Sequence, residues 1–247
     1  MINGNAVLSI WHDIEATGQT AYVEWHVLEH MPERASIPGF VRGRRGVALD
    51  PHQSPKYVTL YEASDVEVFR SDAYLERLDN PTAWTQKIQP SFQNFVRFAN
   101  EIEVQRGFGD AAYVTTARIE IDASSTVRFD DVRRQLDEVL AAVEELPLVA
   151  SVALARSRDD ITDYVTNEAE LRPVNPQLDG IRHVAVISVD TATAEAAGAV
   201  RQLITAADFG DARVGHCSTF VIDYVVDADQ VDRAPFTGTA LDRRGRV

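Results

Sequence analysis

The sequence is poor in sulfur: 247 residues contain one cysteine and two methionines. A single cysteine excludes an intrachain disulfide and a cysteine-rich zinc site. Cys217 opens an apolar, strand-like stretch running to Val226, so a buried and inert thiol is expected. His216 beside it would point to the opposite face of that strand, which leaves the thiol without a base. Long hydrophobic runs are also missing. Nothing approaches the ~20 apolar residues that cross a bilayer. Met1-Ile2-Asn3-Gly4-Asn5 lacks a basic region followed by an apolar run, so a cytoplasmic location with no membrane partner is expected. Positive charge is scarce: 24 Lys and Arg stand against 38 Asp and Glu, a formal net charge of −14. Such a chain repels phosphate backbones, and no nucleic-acid partner is expected. The one basic cluster, Arg243-Arg244-Gly245-Arg246, is short and terminal, as a frayed tail would be.

What is present has the pattern of an α+β protein that states its order twice. An apolar strand spans Ala6 to Ile14, a helical stretch Gln19 to Arg34, and two strands about Gly39 to Leu49 and Lys56 to Ala63. A second helical region starts at Asp65, and a last strand runs from about Phe92 to Val104. This is β-α-β-β-α-β, the ferredoxin-like order. The second half repeats it with strands at Tyr113 to Ile121, Val149 to Ala155, His183 to Val189 and Val214 to Val226. Its helices are Phe129 to Leu146, where Val132, Leu136, Val139, Leu140 and Val143 recur at helical spacing, and the Ala-rich Ala192 to Ala207. The expected units are residues 1–107 and 110–228, with a tail at 229–247. A ferredoxin-like sheet has helices on one face only, so two bare faces can be buried against each other within one chain. The polar insert Ser157 to Gly180 breaks the repeat, and loops of that length are usually functional or mobile.

The segment richest in chemistry runs from Glu24 to Phe40. At 100° per residue on a helix, Tyr22, His26, Glu29, His30 and Glu33 share one face. A carboxylate beside an imidazole raises its pKa and fixes its tautomer, which prepares a general base. His26-Val27-Leu28-Glu29-His30 also fits H-x-x-E-H, in which two imidazoles can hold one zinc. No third ligand is evident, and Pro32 sits near the helix end, so no metal and no cofactor are expected. Asp13, or its neighbour His12, ends the first strand beside this helix. Arg42 and Arg44 fall on one face of the second strand and Arg45 on the other; an inward Arg could hold a substrate carboxylate or enolate bidentately, or simply pair with Glu33 or Glu62. Trp25, Tyr57, Tyr61 and Trp84 offer flat surfaces to an aromatic ligand. His183 reads as a satisfied core residue and His52 as an exposed loop residue.

Trp25, Glu29-His30-Met31-Pro32-Glu33-Arg34 and Ile37-Pro38-Gly39-Phe40 resemble a group of bacterial proteins of the dimeric α+β barrel superfamily, similar to the EthD family. Arg42, Arg45, the stretches Tyr57 to Glu62 and Ser71 to Leu75, and Asn80-Pro81-Thr82-Ala83-Trp84-Thr85 extend the resemblance over about residues 6 to 100. The resemblance implies that the tandem closes into an intrachain dimeric α+β barrel. It also implies a cleft between sheet and first helix for a small aromatic or polyketide-like ligand. The pattern carries Tyr more often than His at position 26, which points to His30. The chemistries it implies include isomerisation, cyclisation, dehydration, cofactor-free oxygenation and haem-dependent reactions. The expected catalytic set is His30, Glu29, His26 and Glu33, with Trp25, Arg45, Tyr61, Trp84 and Asp13 contacting substrate. The alternatives are a binding module for an apolar metabolite and a haem or metal protein using His26 or His30. A homodimer of the tandem is possible.

Overall fold

Eight strands account for the sheet: β1 (Ala6–Ile14), β2 (Phe40–Ala48), β3 (Tyr57–Ala63), β4 (Phe92–Gly107), β5 (Tyr113–Asp122), β6 (Val149–Ser157), β7 (Ile181–Thr191) and β8 (Arg213–Asp227). In the computed structural model they close into one antiparallel barrel in the order β1-β3-β2-β8-β5-β7-β6-β4. The structure describes residues 1–162, 166–175 and 179–231; most of the expected tail, 229–247, lies outside the described residues. The first four strands run β4-β1-β3-β2 and the last four β8-β5-β7-β6, the same order counted from each start.

Two strands are much longer than the usual five or six residues. β4 has 16 and β8 has 15. The first part of β4 pairs with β1 and its last part, from Asn100, with β6. β8 does the same between β5 and β2. Each long strand thus belongs to both sets, and together they close the ring.

Alternation then decides what faces inward. Val7, Ser9 and Trp11 of β1 point into the barrel. Trp11 Nε1 donates to Thr116 Oγ1 on β5 at 2.9 Å, and these strands are not neighbours, so the bond crosses the lumen. Val58, Leu60, Val96, Val114, Val186 and Phe220 pack around it. The lumen also holds charge. Glu62, fully buried, accepts from Arg42 Nε at 3.1 Å and lies 3.0 Å from Arg44 Nε, while Arg44 reaches across to Asp190 at 2.7 Å. Arg42 and Arg44 thus lie inside and Arg45 outside, and Glu62 is the partner of both inward guanidiniums. His183 is paired inside too, 2.8 Å from Glu120.

The outer face is covered by helices. On β5–β8 lie α5 (Phe129–Glu144) and α8 (Ala194–Ala206), over a core of aliphatic residues around Leu136, Leu140, Val200 and Ile204. Cys217 joins that core, half-buried, with burial pushing its thiol up to about 11. On the first four strands lie α1 (Gln19–Trp25), a π turn at His26–His30, and α2 (Met31–Ala35). Beyond them come α3 (Asp72–Asp79) and α4 (Ala83–Ile88), where Thr82 caps α4 by accepting from Thr85 N. The insert contributes two short helices, α6 (Asp159–Thr162) and α7 (Asn167–Glu170). Among the described residues no helix is long and apolar enough to cross a membrane.

Candidate active site

The site is built by two local irregularities. The first is the π turn. Pro32 has no N–H and its ring crowds the carbonyl four residues back, so an ordinary α-helix cannot continue through it. The chain widens instead, and Met31 N–H donates to His26 O, five residues earlier. Residues five apart now overlie. The Trp25 ring lies 4.2 Å from that of His30. His26 stacks on His30 at 5.6 Å and 22°, and Tyr22 stacks on His26 at 5.0 Å. Single π turns inside α-helices are frequent at functional sites.

The second irregularity is a bulge in β4. Trp11 pairs with Val96 but Asp13 pairs with Gln93, so β4 carries one extra residue here. Asn94 takes the left-handed conformation, φ 50°. Phe92 and Phe95 would face opposite sides of a regular strand. The bulge brings both against His12, at 4.6 and 6.4 Å between ring centroids.

Between these features, on the helix side of β1 and β3, is a mostly enclosed cavity of about 50 Å³ bordered by His12, His26, His30 and Tyr61. That is room for a few waters, and well short of the about 150 Å³ that accommodates benzene. α7 closes it with Thr166, Glu168 and Ala169, and Arg172 follows. Several buried polar atoms here have no hydrogen-bond partner: both ring nitrogens of His12, Nδ1 of His30 and the Tyr61 hydroxyl. Buried polar groups are normally satisfied, so atoms like these mark the place of a ligand or water.

The expected residues divide into two groups. His26, His30 and Tyr61 border the cavity. The others lie behind or beside it. Glu29 accepts from the Thr82 hydroxyl, and Glu33 accepts from Arg34 NH1 at 3.2 Å; neither is bonded to His30. The π turn explains the position of Glu29, since the 100° wheel does not apply through residues 26–30, while Glu33 is drawn to Arg34. Trp25 supports His30 from behind and donates to Thr85 at 3.2 Å. Trp84 packs in the half-buried rim of the cluster of Tyr22 and Trp25. Arg45 is held by Asp223 through two bonds of 3.0 and 2.8 Å. Asp13 faces away, accepting from Lys56 N at 2.6 Å and Asn94 Nδ2 at 2.8 Å. Strand alternation gives the cavity to its neighbour His12 instead. The residues that sequence reasoning missed are Arg34, Arg97, Glu168 and Arg172. Arg34 stood in the resembling stretch Glu29 to Arg34 without being given a role, and the unexplained polar insert supplies Glu168 and Arg172.

The electrostatics keep the imidazoles neutral. Burial, aided by Arg172 and Arg45, lowers His12 to about 3. Burial lowers His30 well below the usual imidazole range, with Arg34 adding to it, and does the same for His26, with Arg45 adding there. Burial opposes the Arg34 charge, yet Glu168 and Glu33 hold that guanidinium more firmly protonated than usual.

This has a consequence for stability. An unfolded histidine takes a proton near 6.5, whereas folded His12 does so only near 3. Its contribution is therefore present above pH 6.5 and is lost as pH falls from there, at about 1.4 kcal/mol per pH unit. Urea unfolding from pH 7 down to 4 should show a steep loss of stability in the parent. His12→Asn should flatten that slope by about 1.4 kcal/mol per pH unit; an unchanged slope would place the protonation elsewhere.

No family model matches the chain, and no curated protein matches its sequence. Solved structures do match it. An anthrone oxidase-like protein is 12% identical over 93% of this chain and 96% of its own, with a TM-score of 0.56. The fold is that of the dimeric α+β barrels. A mutant chlorite dismutase from Candidatus Nitrospira defluvii, in complex with cyanide, is 10% identical over 89% of this chain and 90% of its own, TM-score 0.52. A candidate monooxygenase from Lactobacillus acidophilus NCFM is 12% identical over 92% and 97%, TM-score 0.50. Identities this low establish the barrel and not the chemistry performed in it. No group of three metal-ligating side chains occurs among the described residues.

Proposed function

We propose that the protein is a small-molecule enzyme that transfers a proton on an enolisable carbonyl compound, without a redox cofactor, in the cavity beneath α7. The observation that carries this is the unpartnered, neutral His30 imidazole facing an enclosed cavity beside buried guanidiniums. A neutral ring nitrogen can accept the proton α to a carbonyl. The C–H electron pair then moves onto the carbonyl oxygen, and Arg34 or Arg172 stabilises the enolate in a water-poor site. Return of the proton to another carbon completes an isomerisation. His12 and the Tyr61 hydroxyl are the further contacts in reach of such a ligand. In this reading Trp25 holds the ring of His30 in place, and Glu29 and Glu33 act at a distance. The resemblance to EthD-like proteins and the anthrone oxidase-like neighbour support an aromatic or polyketide-like substrate, which enters by displacing α7. We also read the matching strand orders as a tandem duplication in which the first half alone kept a site.

A haem does not fit the cavity as α7 closes it, and would need far more room from the displacement of α7 than one small aromatic ligand does. The imidazoles have suitable chemistry, but small-molecule pockets span about 300–1,000 Å³, against about 50 Å³ here. A non-catalytic binder is the second reading, favoured by imidazoles held so far below the range of an efficient base.

The test is deuterium exchange into acetylacetone and anthrone in D2O, read by mass spectrometry. The expected result is protein-dependent wash-in at the acidic carbon of at least one of them. Binding without exchange would favour the binder, and neither binding nor exchange would overturn the proposal.

A further inference from the structure

Among the described residues, three guanidiniums border the cavity, those of Arg34, Arg97 and Arg172, against one carboxylate, that of Glu168. Glu168 comes from α7 and is the group that ties this helix down. It accepts from Arg34, from Arg172 NH1 at 3.1 Å and from Gln89 Nε2 at 3.1 Å. Glu33 gives Arg34 a second carboxylate at 3.2 Å. Arg172 finds no other among the described residues. Among the described residues Arg97 donates to neutral oxygens, Thr162 O at 3.1 Å and the Tyr74 hydroxyl at 3.4 Å. The rest of α7 is lightly held, with Asn167 donating to Asp79 through bonds of 3.2 and 2.7 Å.

These facts constrain the ligand. The space beneath α7, about 50 Å³, is too small for a ring. A ligand with a ring that reaches the bare atoms of His12, His30 and Tyr61 must push α7 aside. That movement withdraws Glu168 from two buried guanidiniums. A neutral ligand would leave Arg34 with Glu33 alone and Arg172 with no carboxylate among the described residues, which weakens its binding until it ionises. A ligand carrying its own carboxylate exchanges one anion for another and can pair bidentately with the planar guanidinium.

We propose that the ligand is an organic monocarboxylate, and that its carboxylate takes the position of Glu168 between Arg34 and Arg172. Glu168 then acts as a resident anion that keeps the cavity shut until such a ligand arrives. The inference shares its cavity with the enzymatic reading above. It is tested by binding, so failure of proton exchange would leave it standing, and its own failure would not touch that exchange.

The experiment is isothermal titration calorimetry with acetate and benzoate, and with benzamide as the neutral control. The parent and Glu168→Gln are compared. Glu168→Gln should bind benzoate at least about tenfold tighter, a gain of about 1.4 kcal/mol, because the competing carboxylate is gone. Benzamide should show no such gain, and Arg172→Gln added to Glu168→Gln should abolish it. If Glu168→Gln loses its fold by circular dichroism, hydrogen exchange on the parent decides: amides of Asn167–Glu170 should exchange faster with saturating benzoate. Equal affinity of parent and variant for benzoate, an equal gain for benzamide, no binding of either acid to either protein, or slower exchange would overturn the proposal.

Discussion

His30→Gln lowers the rate of proton exchange into the responsive carbonyl compound by about 10²- to 10⁴-fold, the usual worth of a positioned acid–base group. Glutamine keeps much of the volume and can hydrogen-bond, but it cannot take a proton at neutral pH. The loss should fall on kcat, because the cavity, the guanidiniums and α7 stay in place. Trp25 reports the fold of the variant, since its ring rests on position 30 at 4.2 Å in the parent. Near-parental fluorescence and unfolding, together with a collapsed rate, is the expected pattern. A variant that exchanges at the parental rate while folded would remove His30 from the chemistry and leave His12 as the next candidate.

Glu62→Gln destabilises the protein by about 3–5 kcal/mol, the cost of breaking a buried ion pair from one side. The carboxylate is fully buried and faces Arg42 and Arg44 at 3.0–3.1 Å. Its loss leaves two guanidiniums in the lumen with Asp110 and Asp190 as their remaining carboxylates. For a chain of this size the melting temperature should drop by about 6–20 °C, measured by calorimetry. A drop within a few degrees would mean that water or the two aspartates compensate in the lumen.

Much of the architecture was legible because strands announce themselves by alternation. β1 was read at Ala6 to Ile14, as observed, and the assignment of Arg42 and Arg44 to one face and Arg45 to the other followed from the same two-residue period. The site was less legible, for three reasons. A helical wheel assumes 100° per residue, and the missing amide of Pro32 breaks that assumption through His26–His30, which takes Glu29 away to Thr82. The bulge at Asn94 is a long-range register shift, and no local pattern in Phe92 to Phe95 reveals that both rings meet His12. The pairing of Arg34 with Glu168 joins residues 134 apart in sequence, so the insert could be marked as unexplained but not attached to its partner.

The shared use of β4 and β8 governs how the chain can associate. A sheet that closes on itself offers no row of free amides and carbonyls to a neighbour. Here the ring is completed by strands that no cut can divide cleanly: severing the chain after Gly107 would strand the last part of β4 without β6 and the last part of β8 without β2. A second copy is therefore not needed to finish the barrel, and self-association by pairing of free strand edges is closed to it.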